Sequence, residues 1–469
     1  MRMKKSVLMC IGLICCMFLN ALCVQPETCY AADAAGYCGD SAFVAQIKQE
    51  CAGKSQTTSG KKYYISPKGS DKGNGSKSKP FRTFQKAFQK LKPGDTLYVR
   101  KGTYKENPVI PAKCSGKKGA YITISNYGNE KVVISGKSKK SPVLLTVKGA
   151  AYLKITGLEF ADATGQDACG ISVTPGSNHL IISNNTVHDI TVKNPYQQDH
   201  CANGILLYGD SAKRSIHNVL IYGNKLYDCQ TGWAECISVT ANCKNINIVQ
   251  NTIDNTGNIG IDLSGNYGYC TDASKDFPQN CLVYKNKVSN CKSKYATSYG
   301  IYVDGGQHIE IRSNQVTKCS GGIEIGAEEK PPKESYSTDD ILVVKNTVKN
   351  NKENGITVGG YEKTLGWVKN VTISGNTCKN NGRSNAIVTL AKCNGVTLKN
   401  NVFCNDSGNA AVIYAEFGRA YTKNITFKNN QYSNGCKATK TNFVYLGKTY
   451  TSFEKWKKAV GKGAGTYRQ

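Results

Sequence analysis

Nine copies of one short pattern constrain this chain more than any other feature. LIISNNTV, VLIYGNKL, INIVQNTI, CLVYKNKV, IEIRSNQV, ILVVKNTV, VTISGNTC, VTLKNNVF and ITFKNNQY share one asparagine, at Asn185, Asn224, Asn251, Asn286, Asn314, Asn346, Asn376, Asn401 and Asn430. Successive anchors lie 25 to 39 residues apart. Apolar residues alternate on both sides of the anchor, as in half-buried strands. One unit of this kind cannot bury its own apolar face, so consecutive copies must stack and share a core. Stacking brings the asparagines to one corner of successive turns, where they can bond to one another as a ladder. A third strand completes most turns, in CGISVTPG, NGILLYGD, ECISVTAN, NIGIDLSG, SYGIYVDGG, SGGIEIGAE and NGITVGGY. The expected fold is all-β: a single-stranded right-handed parallel β-helix, with the hand that parallel crossovers take.

The stack has recognisable ends. Phe84, Ala87, Phe88 and Leu91 recur at helical spacing before Pro93-Gly94, which predicts an N-terminal capping helix. The repeat fades after Asn430, and the stretch around Trp456 predicts a C-terminal cap over 441–469, leaving 61–440 as the β-helix. Met1 to Lys5 is basic, Val7 to Cys23 is nearly all apolar, and small residues follow. That predicts a signal peptide over 1–32 and a polar leader over 33–60, hence a secreted protein with no membrane span. Of 21 cysteines, Cys10, Cys15, Cys16, Cys23 and Cys29 fall in that first segment, leaving 16. An oxidising compartment allows disulfides among these. Cys229, Cys291 and Cys319 each follow their anchor by five residues. Cys291 and Cys319 on neighbouring turns would sit about 4.8 Å apart, either bonded or as a stack of buried thiols.

The three segments from Asn258 to Glu328 hold the chemistry. In each, isoleucine, leucine and valine alternate with residues that face outward: Asp262 in the first, Tyr302 and Asp304 in the second, Glu324 in the third. Read up the stack, the outward row is Ser172, Leu206, Ser238, Asp262, Tyr302, Glu324 and Thr357, and the next is Thr174, Tyr208, Thr240, Ser264, Asp304, Gly326 and Gly359. The acids fall on three consecutive turns. Carboxyls crowded this way have their pKa values pushed apart into an acid and a base or nucleophile, as glycosidic cleavage requires. Asp304, Glu324, Asp262 and Tyr302 are therefore the catalytic candidates. Tyr208, Trp233, Tyr361 and Trp367 are candidate sugar platforms. Lys193 to Cys201, Asn266 to Gln279 and Ala327 to Asp340 are long loops beside this sheet, with Glu328, Glu329 and Lys330 at the mouth of the last. Long loops on one side of a solenoid carry function.

A formal charge of +28 draws an anionic polymer by its long-range field. Nucleic acid is not expected as the partner, because no nucleic-acid motif is present. The predicted partner is an anionic polysaccharide, bound by a monomer.

The opening YYISPKGSDKGNGSKSKPFRTFQKAFQKLKPGDTLYVRKGTY, followed by asparagine-anchored turns, resembles secreted right-handed β-helix proteins grouped with the family 9 pectate lyases. That resemblance covers most of the chain from Lys61. It implies β-elimination on a pectate-like, uronate-containing polymer and a calcium site in an Asp-Asp-Gly-x-Asp strand. The matching positions are Asn258-Ile259-Gly260-Ile261-Asp262, so the implied calcium ligands are Asp262 and, in place of an earlier acid, Glu235. The family's lysine base corresponds to Tyr302. A narrower resemblance joins Tyr302-Val303-Asp304 and Ile323-Glu324-Ile325 to the β-helical xylosidases of glycoside hydrolase family 120. It implies hydrolysis, with Asp304 as nucleophile or base and Glu324 as acid. A non-catalytic glycan-binding surface protein is the third expectation, which holds if the acids are only structural.

Overall fold

The structure is a computed structural model that describes residues 60–137, 142–360, 362–382, 386–404, 410–414, 417–433, 442–461 and 463–468. The expected signal peptide, and the polar leader up to residue 59, lie outside the described residues. Every third strand of the chain joins the same sheet, giving one 14-stranded and two 13-stranded sheets that run the length of the stack. Each coil thus contributes one strand to each sheet, and the pairing is parallel, as between Ile216–Tyr222 and Cys243–Val249. Only Asn442–Tyr445 with Lys448–Tyr450, at the C-terminal end, pairs antiparallel among the named strands.

The anchor asparagines form the expected ladder. Nδ2 of Asn251 donates to Asn286 Oδ1 at 3.0 Å, Asn286 to Asn314 at 3.0 Å, and Asn314 to Asn346 at 3.0 Å. The chain of bonds runs from Asn185 to Asn430 without a break. The second amide hydrogen goes to a backbone carbonyl further down the stack, as from Asn314 to Val283 O at 2.9 Å. All nine anchors are fully buried, which a polar side chain tolerates only when its donors and acceptors are met. The residue before the anchor turns the corner in the left-handed region, with φ of 52° at Asn184, 53° at Lys285 and 55° at Ser313. That conformation costs roughly 1–2 kcal/mol in a residue with a side chain, and the ladder bonds next to it hold it in place.

Alternation decides which side chains enter the core. Ile261, Leu263, Ile301, Val303, Ile323 and Ile325 are all fully buried between the sheets, as the pattern predicts. Each such burial contributes roughly 1.5–3 kcal/mol. The column that begins with Cys229 and Cys291 continues through Cys319 to Asn351 and Asn381, whose amides form a second, shorter ladder at 2.8 Å. Cys229, Cys291 and Cys319 are free thiols. Of the two arrangements open to Cys291 and Cys319, the structure holds the unbonded one: contact with the Cys319 thiol, and burial, push the Cys291 pKa well above its ordinary value.

The short helix Phe84–Phe88 starts at Thr83, whose hydroxyl accepts from Lys86 N–H, and buries Phe84, Ala87 and Phe88. At the other end Phe453–Val460 buries Phe453 and Trp456. Asn442–Tyr445 and Gly465–Arg468 each add a strand to the coil sheets beside this helix. No helix among the described residues is long and apolar enough to cross a membrane.

Candidate active site

Four neighbouring strands of the Gly-Ile-x-Val sheet build the floor of one cleft: Ile237–Ala241, Ile261–Ser264, Tyr299–Asp304 and Gly321–Gly326. Their register places Ser238 beside Asp262, Asp262 beside Tyr302, and Tyr302 beside Glu324, then Thr357, which is the row the alternation predicts. Asp304 pairs with Gly326 in the next row. A Cβ at Gly326 would come within 2.6 Å of the Tyr302 hydroxyl, so only glycine leaves room for that ring to lie across the sheet.

Loops wall the floor and change what the sheet presents. The Tyr267 hydroxyl donates to Asp304 Oδ2, and Glu328 Oε2 lies 3.0 Å from the same hydroxyl oxygen. Glu328 donates its backbone N–H to Asp304 Oδ1 at 2.7 Å, and its Oε1 accepts from the Tyr302 hydroxyl at 3.3 Å. Tyr267 is held by its own loop, where Asp276 accepts from the N–H groups of Gly268 and Cys270. The outward-facing acids are consequently buried: Asp304 is 1% exposed, Asp262 3% and Glu324 7%. Tyr302 is buried too, and its hydroxyl supports Glu328.

The cleft measures about 1050 Å³ and is lined by both loops and sheet. Trp233 and Tyr295 form one aromatic wall, with ring centroids 5.1 Å apart, and Tyr208, Tyr269 and Tyr267 form another, at 5.4 and 5.7 Å. Tyr208 and Trp233 therefore stand where the sequence places them. Tyr361 lies outside the described residues. Trp367 does not line the cleft; it stacks on Tyr421 between the ammonium groups of Lys392 and Lys423. Glu353, Tyr267, Tyr269 and Tyr295 are lining residues that strand alternation does not reveal. The one signal for Tyr267 and Tyr269 is their place in the long aromatic loop after Gly265.

Seven carboxyl groups line this cleft, and no lysine, arginine or histidine does among the described residues. Their crowding in a partly dry site sets their protonation. Burial, then the Glu328 charge, raises the Asp304 pKa from its ordinary 3.8 to about 8. The hydrogen bonds from Tyr267 and the Glu328 N–H oppose that shift. Burial, with Glu328, Asp304 and Glu353 nearby, pushes Glu324 well above the usual carboxyl range. Asp262 is pushed the same way by burial and by Glu235, Asp304 and Glu328. Burial raises Glu235 from 4.5 to about 7 although it accepts a bond from Ser238.

These shifts are also statements about stability. The folded protein holds these protons more tightly than the unfolded chain, so their contribution is complete below about pH 4 and is lost as pH rises through 7 and 8. Melting temperature is expected to be higher at pH 5 than at pH 9 from this cluster, with the difference reduced in Asp304→Asn. An unchanged slope in that variant would mean the cluster does not titrate in this window.

A calcium ion at Asp262 and Glu235 requires further ligands to converge on them. Among the described residues no group of three or more His, Cys, Asp or Glu side chains is arranged to hold a metal ion. Asp262 and Glu235 both line the cleft, and the hydrolytic reading of the site does not use calcium.

A family model described as "Pel9A-like, right handed beta helix region" matches residues 63–438. The uncharacterized protein YwoF of Bacillus subtilis is 32% identical over 334 residues, which cover 68% of each chain. The pectate lyase PEL9 of Emericella nidulans is 27% identical over 175 residues, covering 34% of this chain and 39% of its own. Among solved structures, pectate lyase Pel9A is 14% identical over 82% of this chain and 83% of that one, with a TM-score of 0.41. A GH136 lacto-N-biosidase from Eubacterium ramulus is also 14% identical, over 92% of this chain and 70% of that one, with a TM-score of 0.47. On the match to residues 63–438, and on a relative 32% identical across two thirds of its length, the chain belongs to the Pel9A-like family of right-handed β-helices.

Proposed function

We propose that this protein is a secreted carbohydrate-active enzyme, a glycoside hydrolase that cuts a polysaccharide lacking acidic groups where it enters the cleft. The observation that carries this reading is the lining: seven carboxyls, two groups of packed aromatic rings, and no cation among the described residues. A uronate polymer brought into such a cleft would meet no positive side chain among the described lining residues, and burying its charge without a partner is costly. The basic exterior concentrates anionic surfaces around the protein without making the cleft itself a site for them.

The two acids take different roles because their surroundings differ. Glu324 has burial and neighbouring acids acting on it, both of which keep its proton on, so it is the acid that protonates the leaving glycosidic oxygen. Asp304 has the same burial, but its two oxygens are each held by a donor, which favours its ionised form. It ionises first and serves as the base toward water or as the nucleophile at the anomeric carbon. Activity should therefore rise as pH approaches about 8, where Asp304 loses its proton. In Tyr267→Phe one donor to Asp304 is gone, its pKa moves up, and the rising limb of the pH–rate profile should shift to higher pH. A limb that stays in place would remove Tyr267 from this role.

Elimination is the second reading, favoured by family membership and by the pectate lyase PEL9 relative. The two are separated by incubating the protein with neutral and acidic polysaccharides while following reducing ends and ultraviolet absorbance. New reducing ends without absorbance support hydrolysis; absorbance that rises with the reducing ends supports elimination.

A further inference from the structure

We propose that the Asp262 side of the cleft is a subsite for a protonated amino group, so that the glycan taken here carries an unacetylated amino sugar. This inference rests on the glycan-cleaving reading of the cleft. Asp262 lines the cleft at 3% exposure, and its Oδ1 has no hydrogen-bond donor. Asn258, 4% exposed and also lining the cleft, presents a second side-chain oxygen with no donor. The charged groups acting on Asp262 are Glu235, Asp304 and Glu328, all acids. With only acids around it and no basic side chain in the lining, the ionised form of Asp262 is left uncompensated by the protein, so Asp262 keeps its proton unless a cation joins it.

A sugar hydroxyl would supply one hydrogen bond and no charge. An ammonium group supplies three donors, no acceptor and the missing positive charge. Trp233 and Tyr295, which line the same cleft, add ring faces that attract cations. A metal ion would need several converging ligands, and among the described residues no group of three or more His, Cys, Asp or Glu side chains is placed to hold one. A cation beside Asp262 would bring its raised pKa back down and let the site bind in its charged form.

The test uses the full chain carrying Glu324→Gln to block turnover, with a glucosamine tetramer and its fully N-acetylated counterpart as probes. Binding by titration calorimetry is expected to favour the free amine by about tenfold or more, with the preference lost in Asp262→Asn and reduced in Glu235→Gln. Equal binding of the two tetramers, or a preference that survives Asp262→Asn in a protein with unchanged melting temperature, overturns the proposal. Cleavage of neutral glycans with no preference for the amine also overturns it while leaving the hydrolase reading standing. Amine-selective binding by a wild-type protein that cleaves no glycan keeps the subsite and sinks the hydrolase reading instead.

Discussion

Asp304→Asn is expected to lower kcat/KM by about 10³-fold, in the range that a positioned acid or base contributes, while the protein stays folded. The substitution is close to isosteric, and the amide oxygen can still accept from the Glu328 N–H or from Tyr267. It also removes a buried group whose ionisation opposes folding above pH 4. The melting temperature should therefore hold or rise at neutral pH as activity falls. Glu324→Gln should lose activity comparably on substrates with poor leaving groups and much less on aryl glycosides, whose leaving group needs no proton. Activity retained in Asp304→Asn would move the chemistry elsewhere in the cleft. Loss of both activity and fold would make Asp304 a structural acid that ties Tyr267 and Glu328 together.

The largest stability effect is expected at the ladder. Asn314 accepts from the Asn286 N–H at 2.9 Å and from Asn286 Nδ2 at 3.0 Å, and donates to Val283 O at 2.9 Å. In Asn314→Ala those three buried groups lose their partner at once, at about 1–3 kcal/mol each. A total of roughly 3–5 kcal/mol is expected, since neighbours relax and energies of linked bonds do not add fully. The exposed neighbour Gln315 provides the control, for Gln315→Ala should change stability by no more than about 0.5 kcal/mol. Urea unfolding followed by circular dichroism distinguishes the two. A similar small loss at both positions would mean that the ladder is a consequence of stacking and adds little to its stability.

Much of this architecture is legible in the sequence because the repeat imposes register. Once the anchors are aligned, strict alternation fixes which residues face the core, and the row from Ser238 through Asp262, Tyr302 and Glu324 follows without any tertiary information. What alternation cannot give is what the loops bring back. Tyr267 and Glu328 meet Asp304 across 37 and 24 residues of chain, and no period links a loop side chain to a position on a sheet. The burial of the acids was hidden for the same reason, because an outward strand position is open only until a loop covers it. Trp367 shows the converse: an aromatic beside the right sheet is drawn to Tyr421 and two lysines instead. The positive charge of the whole chain pointed toward an anionic partner, whereas the cleft is lined by carboxyls, since net charge describes the surface and not a site of about 1050 Å³.

Hydrolysis adds a water across the broken bond and elimination does not, so the masses of the products decide between them. An oligosaccharide turned over by the wild-type protein should give two fragments whose masses, measured by mass spectrometry, sum to the substrate plus one water, and neither fragment should form with Asp304→Asn. Fragments that sum to the substrate alone, one of them unsaturated, would contradict the assignment of Asp304 and Glu324 as a hydrolytic pair.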